Sequence, residues 1–153
     1  MKKVLILLVT VVAFGFAANA QNAIGVRLGG GTAYGAEVSY QHALGAANRL
    51  EVDLGFNRSK DNYINLAGIY QWCNKFGSTD FGWFIGGGLN LGHCANHGFG
   101  VAVAFQIGLE FTPSSLPLQL TLDARPSWEF LLPEGCGYRG FGWGGALGVR
   151  YRF

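Results

Sequence analysis

The chain has 153 residues and a formal net charge of +2; half of its residues are hydrophobic and 25 are glycine. A protein that binds nucleic acid needs a basic face for the phosphates, so near-neutrality argues against that class. After residue 20 no apolar run reaches the roughly 18 residues that a transmembrane helix needs. The apolar residues must be buried in some other way, and a closed barrel in lipid is one of the few structures that allows it.

The N-terminus predicts a cleaved export signal. Lys2 and Lys3 precede an apolar run over residues 4–16, and residues 18–20 then provide the small side chains that signal peptidase recognises. We therefore expect residues 1–20 to be removed and residues 21–153 to form a single domain. Loss of the two lysines removes the net positive charge.

The first three predicted strands follow this signal. Along residues 23–30, 33–43 and 49–57, apolar side chains alternate with polar or small ones, and a period of two is typical of a strand with one apolar face. The third segment is the most regular: Leu50, Val52, Leu54 and Phe56 alternate with Glu51, Asp53 and Gly55. Short turn-forming segments separate the three, which favours antiparallel hairpins.

Four more predicted strands cover residues 62–73, 81–92, 99–111 and 118–130. With a length of about ten residues or a little more, each can cross the hydrocarbon core at a tilt. Pro126 lacks an amide hydrogen, so we expect a bulge or the end of regular pairing at that position.

The eighth predicted strand, residues 138–153, has the most informative pattern. One face carries Phe141, Trp143, Leu147, Val149, Tyr151 and Phe153, and the other carries small residues with Arg150 and Arg152. A soluble sheet turns its apolar face towards a core, whereas a transmembrane barrel strand turns it towards lipid and its polar face towards the lumen. The aromatic last residue favours the membrane strand.

The signal, the eight alternating segments and the ending at residues 148–153 resemble the small eight-stranded outer-membrane barrels of Gram-negative bacteria, the OmpX type and the OmpA transmembrane domain. This resemblance implies an all-β fold, an eight-stranded antiparallel up-and-down transmembrane β-barrel of porin-like type in the bacterial outer membrane. It implies contact with outer-membrane lipid and lipopolysaccharide, with a larger envelope complex as a further candidate partner. It also implies that Val149, Tyr151 and Phe153 form the insertion signal read by the barrel-assembly machinery.

Alternation also predicts a row of charged side chains inside the barrel. These lumen-facing residues are Arg27, Glu37, Glu51, Asp53, Glu110, Asp123, Arg125, Glu129, Arg150 and Arg152. Buried charges must be paired, and an eight-stranded interior is only wide enough for side chains or one small ligand. We therefore predict a salt-bridge plug and a structural or partner-binding role in the envelope. A narrow channel or a small-solute binding barrel is the alternative.

The outer loops contain the remaining candidate residues. Exported proteins meet an oxidising compartment, which favours a disulfide between Cys94 and Cys136 and leaves Cys73 unpaired. The spacing of His93, Cys94, His97 and Cys136 matches no metal signature, so no metal site and no cofactor are predicted.

Some eight-stranded outer-membrane barrels are lipid-modifying enzymes with catalytic groups near the outer rim. Ser59, Asp61, His93 and His97 could meet at that rim, but no nucleophile motif surrounds Ser59. We predict no catalysis, and a rim-located lipid-modifying enzyme is the second alternative.

Overall fold

Ten strands form one sheet whose order closes on itself. The structure, a computed structural model, describes residues 22–31, 35–57, 63–94, 98–131 and 140–153. The strands are β1 (Ala23–Gly31), β2 (Ala36–Ala43), β3 (Asn48–Asn57), β4 (Tyr63–Lys75), β5 (Phe81–Cys94), β6 (Gly98–Phe111), β7 (Leu118–Ala124), β8 (Ser127–Leu131), β9 (Gly140–Gly142) and β10 (Gly144–Arg152). Within these ranges there is no helix that could cross a membrane. The predicted signal, residues 1–20, lies outside them.

All pairings between neighbouring strands are antiparallel. β1 pairs with both β2 and β10, which joins the two ends of the chain and closes the barrel. β7 and β8 both pair with β6 and are two parts of one barrel strand, while β9 and β10 are two parts of the next. The barrel therefore has eight strands, and the predicted fold class is confirmed.

Pro126 interrupts the seventh barrel strand between β7 and β8, as the sequence predicted. Its carbonyl accepts a hydrogen bond from the amide of Phe105 at 2.8 Å. The proline therefore removes only the hydrogen bond that a backbone N–H at this position would have donated. The preceding residue, Arg125, donates its amide to the carbonyl of Gly144 at 2.7 Å, and its side chain is completely buried inside the barrel.

Most of the other strand boundaries differ from the predicted ones by one or two residues, and β2 begins three residues later than predicted, at Ala36. β4 continues to Lys75 and β5 to Cys94, because Lys75 pairs with Gly82 and Cys94 pairs with Gly98. The residues added to β4 and β5 do not continue a clear alternation of apolar and polar side chains. Backbone pairing with the neighbouring strands keeps them in the sheet.

The barrel has two distinct ends. The turns at 44–47, 76–80 and 112–117 lie at one end together with Asn22 and Phe153, the first and last described residues, and we call this the turn end. There Asn22 and Phe153 exchange backbone hydrogen bonds of 3.2 and 2.9 Å, which close the seam between β1 and β10. The opposite end, at which β1 finishes and β2 begins, is called the loop end.

The outer surface is apolar and the interior is polar. Large apolar side chains on the outside, such as Leu28, Leu89 and Phe105, are more than half exposed, which is rare for such residues in a soluble sheet. The interior instead contains small side chains such as Ala67 and Ala104 together with buried arginine, carboxylate and amide groups. This distribution is the reverse of a soluble sheet and is typical of a barrel in lipid.

Some interior glycines allow adjacent strands to approach closely. A Cβ on Gly88 would lie 1.9 Å from the carbonyl oxygen of Gly68 in the next strand, closer than any real contact. A Cβ on the neighbouring Gly87 would instead make ordinary contacts, 3.7 Å from the ring of Phe105 and 3.9 Å from the backbone oxygen of Ala104. Gly88 is therefore required by the close approach of two backbones inside a narrow barrel.

Candidate functional site

Seven buried charged residues form a continuous set of ion pairs across the interior. We call this set the lumen charge network; each member is at most 4% exposed. Its members are Arg27, Glu37, Glu51, Asp53, Asp123, Arg125 and Arg150. The inward positions of β1, β2, β3, β7 and β10 supply six of them, and Arg125 lies at the interruption next to Pro126.

Glu51 on β3 is the central acceptor of this network. Its Oε1 accepts hydrogen bonds from Arg125 Nη2 at 2.9 Å and from Gln106 Nε2 at 3.1 Å. Its Oε2 accepts from Arg150 Nη2 at 3.0 Å and from Gln41 Nε2 at 2.5 Å. One carboxylate is thus bonded to donors from four other barrel strands, so it joins walls that are remote from one another.

Arg125 lies across the barrel from Glu51. β3 and the β7–β8 strand are four positions apart in a barrel of eight strands, so they face each other over the full width of the lumen. The guanidinium of Arg125 also pairs with Asp53, two residues further along β3, and lies 3.5 Å from the carboxylate of Glu37. Because Arg125, Glu51 and Asp53 are fully buried, the pairing offsets the large cost of removing each charge from solvent.

Arg27 forms a second centre with carboxylates on both sides. It makes a bidentate contact with Asp123, in which Nε lies 3.0 Å from Oδ2, and it also pairs with Glu37. The other oxygen of Glu37 accepts a hydrogen bond from Asn65 Nδ2 at 3.2 Å. Since Glu37 also faces Arg125, the two centres share this carboxylate.

Arg150 connects Glu51 to neutral side chains. Its Nε donates to Ser39 Oγ at 2.8 Å, and its Nη1 donates to Thr121 Oγ1 at 2.9 Å. With Glu51 as its third acceptor, the guanidinium is held in one orientation by three different strands.

A chain of amides links the network to a further ion pair near the turn end. Gln106 donates to Glu51 and accepts from Gln71 Nε2 at 2.7 Å. Gln71 in turn accepts from the Nε of Arg49, whose Nη1 pairs with Glu110 Oε2 at 2.6 Å.

Of the ten charged residues predicted to face the lumen, eight are buried there. Glu129, at the loop end of β8, and Arg152, at the turn end of β10, are only partly buried. The prediction missed Arg49, which is 8% exposed and has the same parity along β3 as Glu51 and Asp53. Arg49 is the first residue of the predicted segment 49–57, so the alternation of that segment already placed it on the inward face.

A cavity of about 250 Å³ opens at the turn end beneath this ion pair. Its charged and reactive lining residues are Arg49, Cys73, Lys75, Glu110 and Arg152. Cys73 is partly buried and carries a free thiol.

The predicted loop-end sites fall mostly outside the described residues. Ser59, Asp61, His97 and Cys136 lie outside them, as does the side chain of Cys94, so the predicted disulfide also falls outside the described residues. His93 stacks on the outward Phe99, with ring centroids 4.5 Å apart. Among the side chains that the structure describes, no group of three or more histidine, cysteine or carboxylate residues could hold a metal ion.

The predicted insertion signal lies at the seam of the barrel. Val149 and Tyr151 are 47% and 52% exposed on the outer face of β10, and Phe153 follows at the turn end. All three lie where β10 pairs with β1 or just beyond.

Neither a protein-family profile nor a curated protein matches the sequence. Solved structures do match the fold. The N-terminal β-barrel domain of Pseudomonas aeruginosa OprF superposes with a TM-score of 0.69 at 12% identity, over 88% of this chain and 98% of that one. Neisserial surface protein A (NspA) gives a TM-score of 0.56 at 12% identity, over 87% of this chain and 95% of that one. The chain therefore has the fold of these small eight-stranded β-barrels, as its resemblance to the OmpX and OmpA type predicted.

Proposed function

We propose that this chain is an integral protein of the bacterial outer membrane, inserted with its turn end towards the periplasm. The observation that carries the proposal is the outer surface, where large apolar side chains are 36–77% exposed around a barrel with polar contents. In water this surface would aggregate, whereas in lipid it is solvated, and the closed ladder that joins β1 to β10 pairs backbone groups that lipid could not solvate. The two similar structures, which are outer-membrane barrels, support the same location.

We propose further that the lumen charge network closes the barrel and that the protein is a non-enzymatic envelope component. The contacts of Glu51 and Arg125 span the full width of the lumen, and an eight-stranded interior has little space beyond its own side chains. Opening a path through the lumen would require several ion pairs that cross it to separate. The lipid-facing surface and the short turns are consistent with a structural or partner-binding role. In that role the protein would contact lipopolysaccharide or a larger envelope complex.

Membrane insertion is tested by cell fractionation together with gel mobility in detergent. The protein is expected in the outer-membrane fraction, and its unheated form should migrate differently from the boiled form. Recovery in the soluble periplasmic fraction, or identical mobility of the two forms, would contradict insertion.

Closure of the lumen is tested by recording from planar bilayers that contain the purified, refolded protein. We expect no steady conductance from the natural protein. The double variant Glu51→Ala and Arg125→Ala removes two large side chains that meet across the lumen and is expected to show small openings. Steady conductance by the natural protein would overturn the closed lumen and favour the narrow channel.

Absence of catalysis on lipid is tested by expressing the protein in a Gram-negative host and comparing lipid A profiles with and without it. The profile is expected to stay unchanged. A change that reverts in a His93→Ala variant would identify a lipid-modifying enzyme instead.

A further inference from the structure

The turn-end cavity has more positive than negative charge. Arg49, Lys75 and Arg152 line it with Glu110 as the single carboxylate among its lining residues, a formal excess of two positive charges. The lumen charge network above it, by contrast, pairs its arginines with carboxylates at short range. The cavity is therefore the part of the interior in which an anion would be favoured.

Arg49 presents one nitrogen of its guanidinium without a partner. Its Nε is bonded to Gln71 and its Nη1 to Glu110, and its Cζ lies 4.9 Å from the centre of the Phe84 ring. Its Nη2 is buried and has no hydrogen-bond partner among the described residues. The side chain is thus held rigidly with a buried charged donor left over, an arrangement that is costly unless a ligand or water completes it.

Gln119 presents the complementary group, a buried acceptor. Its Nε2 donates to Glu110 Oε2 at 3.1 Å, and because a carboxylate only accepts, this contact fixes the orientation of the amide. Its Oε1 is left buried, again with no partner in the described part of the chain. Glu110 is at the same time occupied by both Arg49 and Gln119.

We propose that the turn-end cavity binds a phosphate group that carries an O–H, either monohydrogen phosphate or a phosphate monoester. The phosphate oxygens would accept from Arg49 Nη2, and its hydroxyl would donate to Gln119 Oε1. Lys75 and Arg152 supply further positive charge near the opening. A volume of about 250 Å³ equals that of about eight water molecules, which suits a single head group rather than a drug-sized ligand.

Two sources could supply this chemistry at a periplasmic opening. One is a free phosphate or small phosphate monoester in solution, and the other is the head group of a phosphatidic acid molecule in the facing leaflet. Both present phosphate oxygens and a hydroxyl donor: monohydrogen phosphate carries the hydroxyl as a doubly charged ion, and the monoester carries it in its singly charged, protonated form. The experiment therefore includes an arm for each source.

The first arm measures binding of inorganic phosphate by isothermal titration to the purified, refolded protein in a non-ionic detergent. We expect saturable binding, and at least tenfold weaker binding of sulfate at equal ionic strength, because sulfate has no hydroxyl to donate to Gln119. Equal binding of the two anions would overturn the assigned geometry.

Three variants distinguish phosphate binding at a defined site from a general attraction of anions to positive charge. Arg49→Gln should weaken phosphate binding about tenfold or more, since it removes a charged donor. Glu110→Gln should strengthen binding, because it removes the one carboxylate from the lining while keeping a side chain of the same size. Both changes break the same ion pair, so a loss that came only from misfolding would weaken binding in both variants. Glu129→Gln at the loop end is the control and should leave affinity unchanged.

The second arm uses nanodiscs of phosphatidylcholine with and without phosphatidic acid, and follows the phosphorus resonance of the lipid. Binding of inorganic phosphate in the first arm supports a soluble ligand. A shift of the phosphatidic acid resonance that is lost in Arg49→Gln supports the lipid. If inorganic phosphate does not bind and the phosphatidic acid resonance does not respond to Arg49→Gln, the proposal is wrong.

Discussion

Replacing Glu51 by glutamine is the sharpest test of the lumen charge network, because it removes one negative charge with almost no change in shape. Glu51 accepts two hydrogen bonds from arginines and two from amides. In the variant, one of the two oxygens becomes an NH₂ group, which faces either the donors of Arg125 and Gln106 or those of Arg150 and Gln41, and an NH₂ group cannot accept from an arginine.

The size of the effect follows from the contacts that remain. Hydrogen bonds to charged groups contribute about 1.5–3 kcal/mol each, and removing one partner of a buried ion pair costs about 3–5 kcal/mol. Arg125 keeps its contacts with Asp53 and Glu37, and Arg150 keeps those with Ser39 and Thr121. We therefore expect Glu51→Gln to lower the free energy of unfolding by about 3 kcal/mol, at the lower end of that range.

The assay is urea unfolding in detergent, followed by tryptophan fluorescence and by the fraction of folded protein on unheated gels. With a urea dependence of about 1–3 kcal/mol per molar, the midpoint should fall by roughly 1–3 M. The matched control is Glu129→Gln, which removes a carboxylate that forms no ion pair with another described residue and should shift the midpoint by less than about 0.5 M. Equal midpoints for the natural protein and Glu51→Gln would refute the reasoning that these ion pairs support one another.

Three further predictions concern the wall of the barrel. Gly88→Ala should prevent folding or strongly lower stability, because its Cβ would lie 1.9 Å from a backbone oxygen, while Gly87→Ala should be tolerated. Gel mobility gives the yield of folded protein for the two refolded variants, and equal yields would contradict this prediction. Leu89→Arg on the outer face, near the membrane centre, should lower the free energy of unfolding by about 2–4 kcal/mol, whereas Leu44→Arg in a turn should lower it by at most about 1 kcal/mol. Urea unfolding measures both values. Similar values for the two variants would argue against a membrane around Leu89. Phe153→Ala should slow assembly in cells but leave refolding in detergent unchanged, with Phe141→Ala as control, and normal cellular assembly would remove the role of Phe153 as an insertion signal.

The fold could be predicted from the sequence because its signal is repeated along the whole chain. Eight alternating segments each place apolar side chains outside, as Leu50 and Val52 illustrate, and a shift of one residue in any of them would reverse both faces. The break at Pro126 was also predictable, since a missing amide hydrogen has a local consequence. Strand ends were less certain because backbone pairing alone extends β4 and β5.

The contacts inside the barrel could not be predicted in the same way. Alternation shows that Arg125 and Glu51 face inward, but which charges meet depends on strand tilt and register around the closed barrel. The amide chain through Gln71 and Gln106 was not predicted, because the predicted set of lumen-facing residues contained charged residues only. Arg49 was missed although the alternation of its predicted segment already placed it on the inward face.

The bond between Arg125 and Glu51 has a consequence for the order of assembly. The two residues are 74 positions apart in the chain, and Arg150 and Glu51 are 99 apart, so neither contact forms until strands from both halves of the barrel face each other. An open sheet would leave these groups hydrated along one face. The network is therefore completed only as the barrel closes.

Contacts that are absent from the folding transition state slow unfolding without accelerating folding. Once the seam between β1 and β10 is made, the lumen charge network is expected to hold it closed, because opening the seam must first separate ion pairs that cross it, such as that of Arg27 on β1 with Asp123 on β7. The ion pairs would then determine how long the barrel stays closed, more than how quickly it forms.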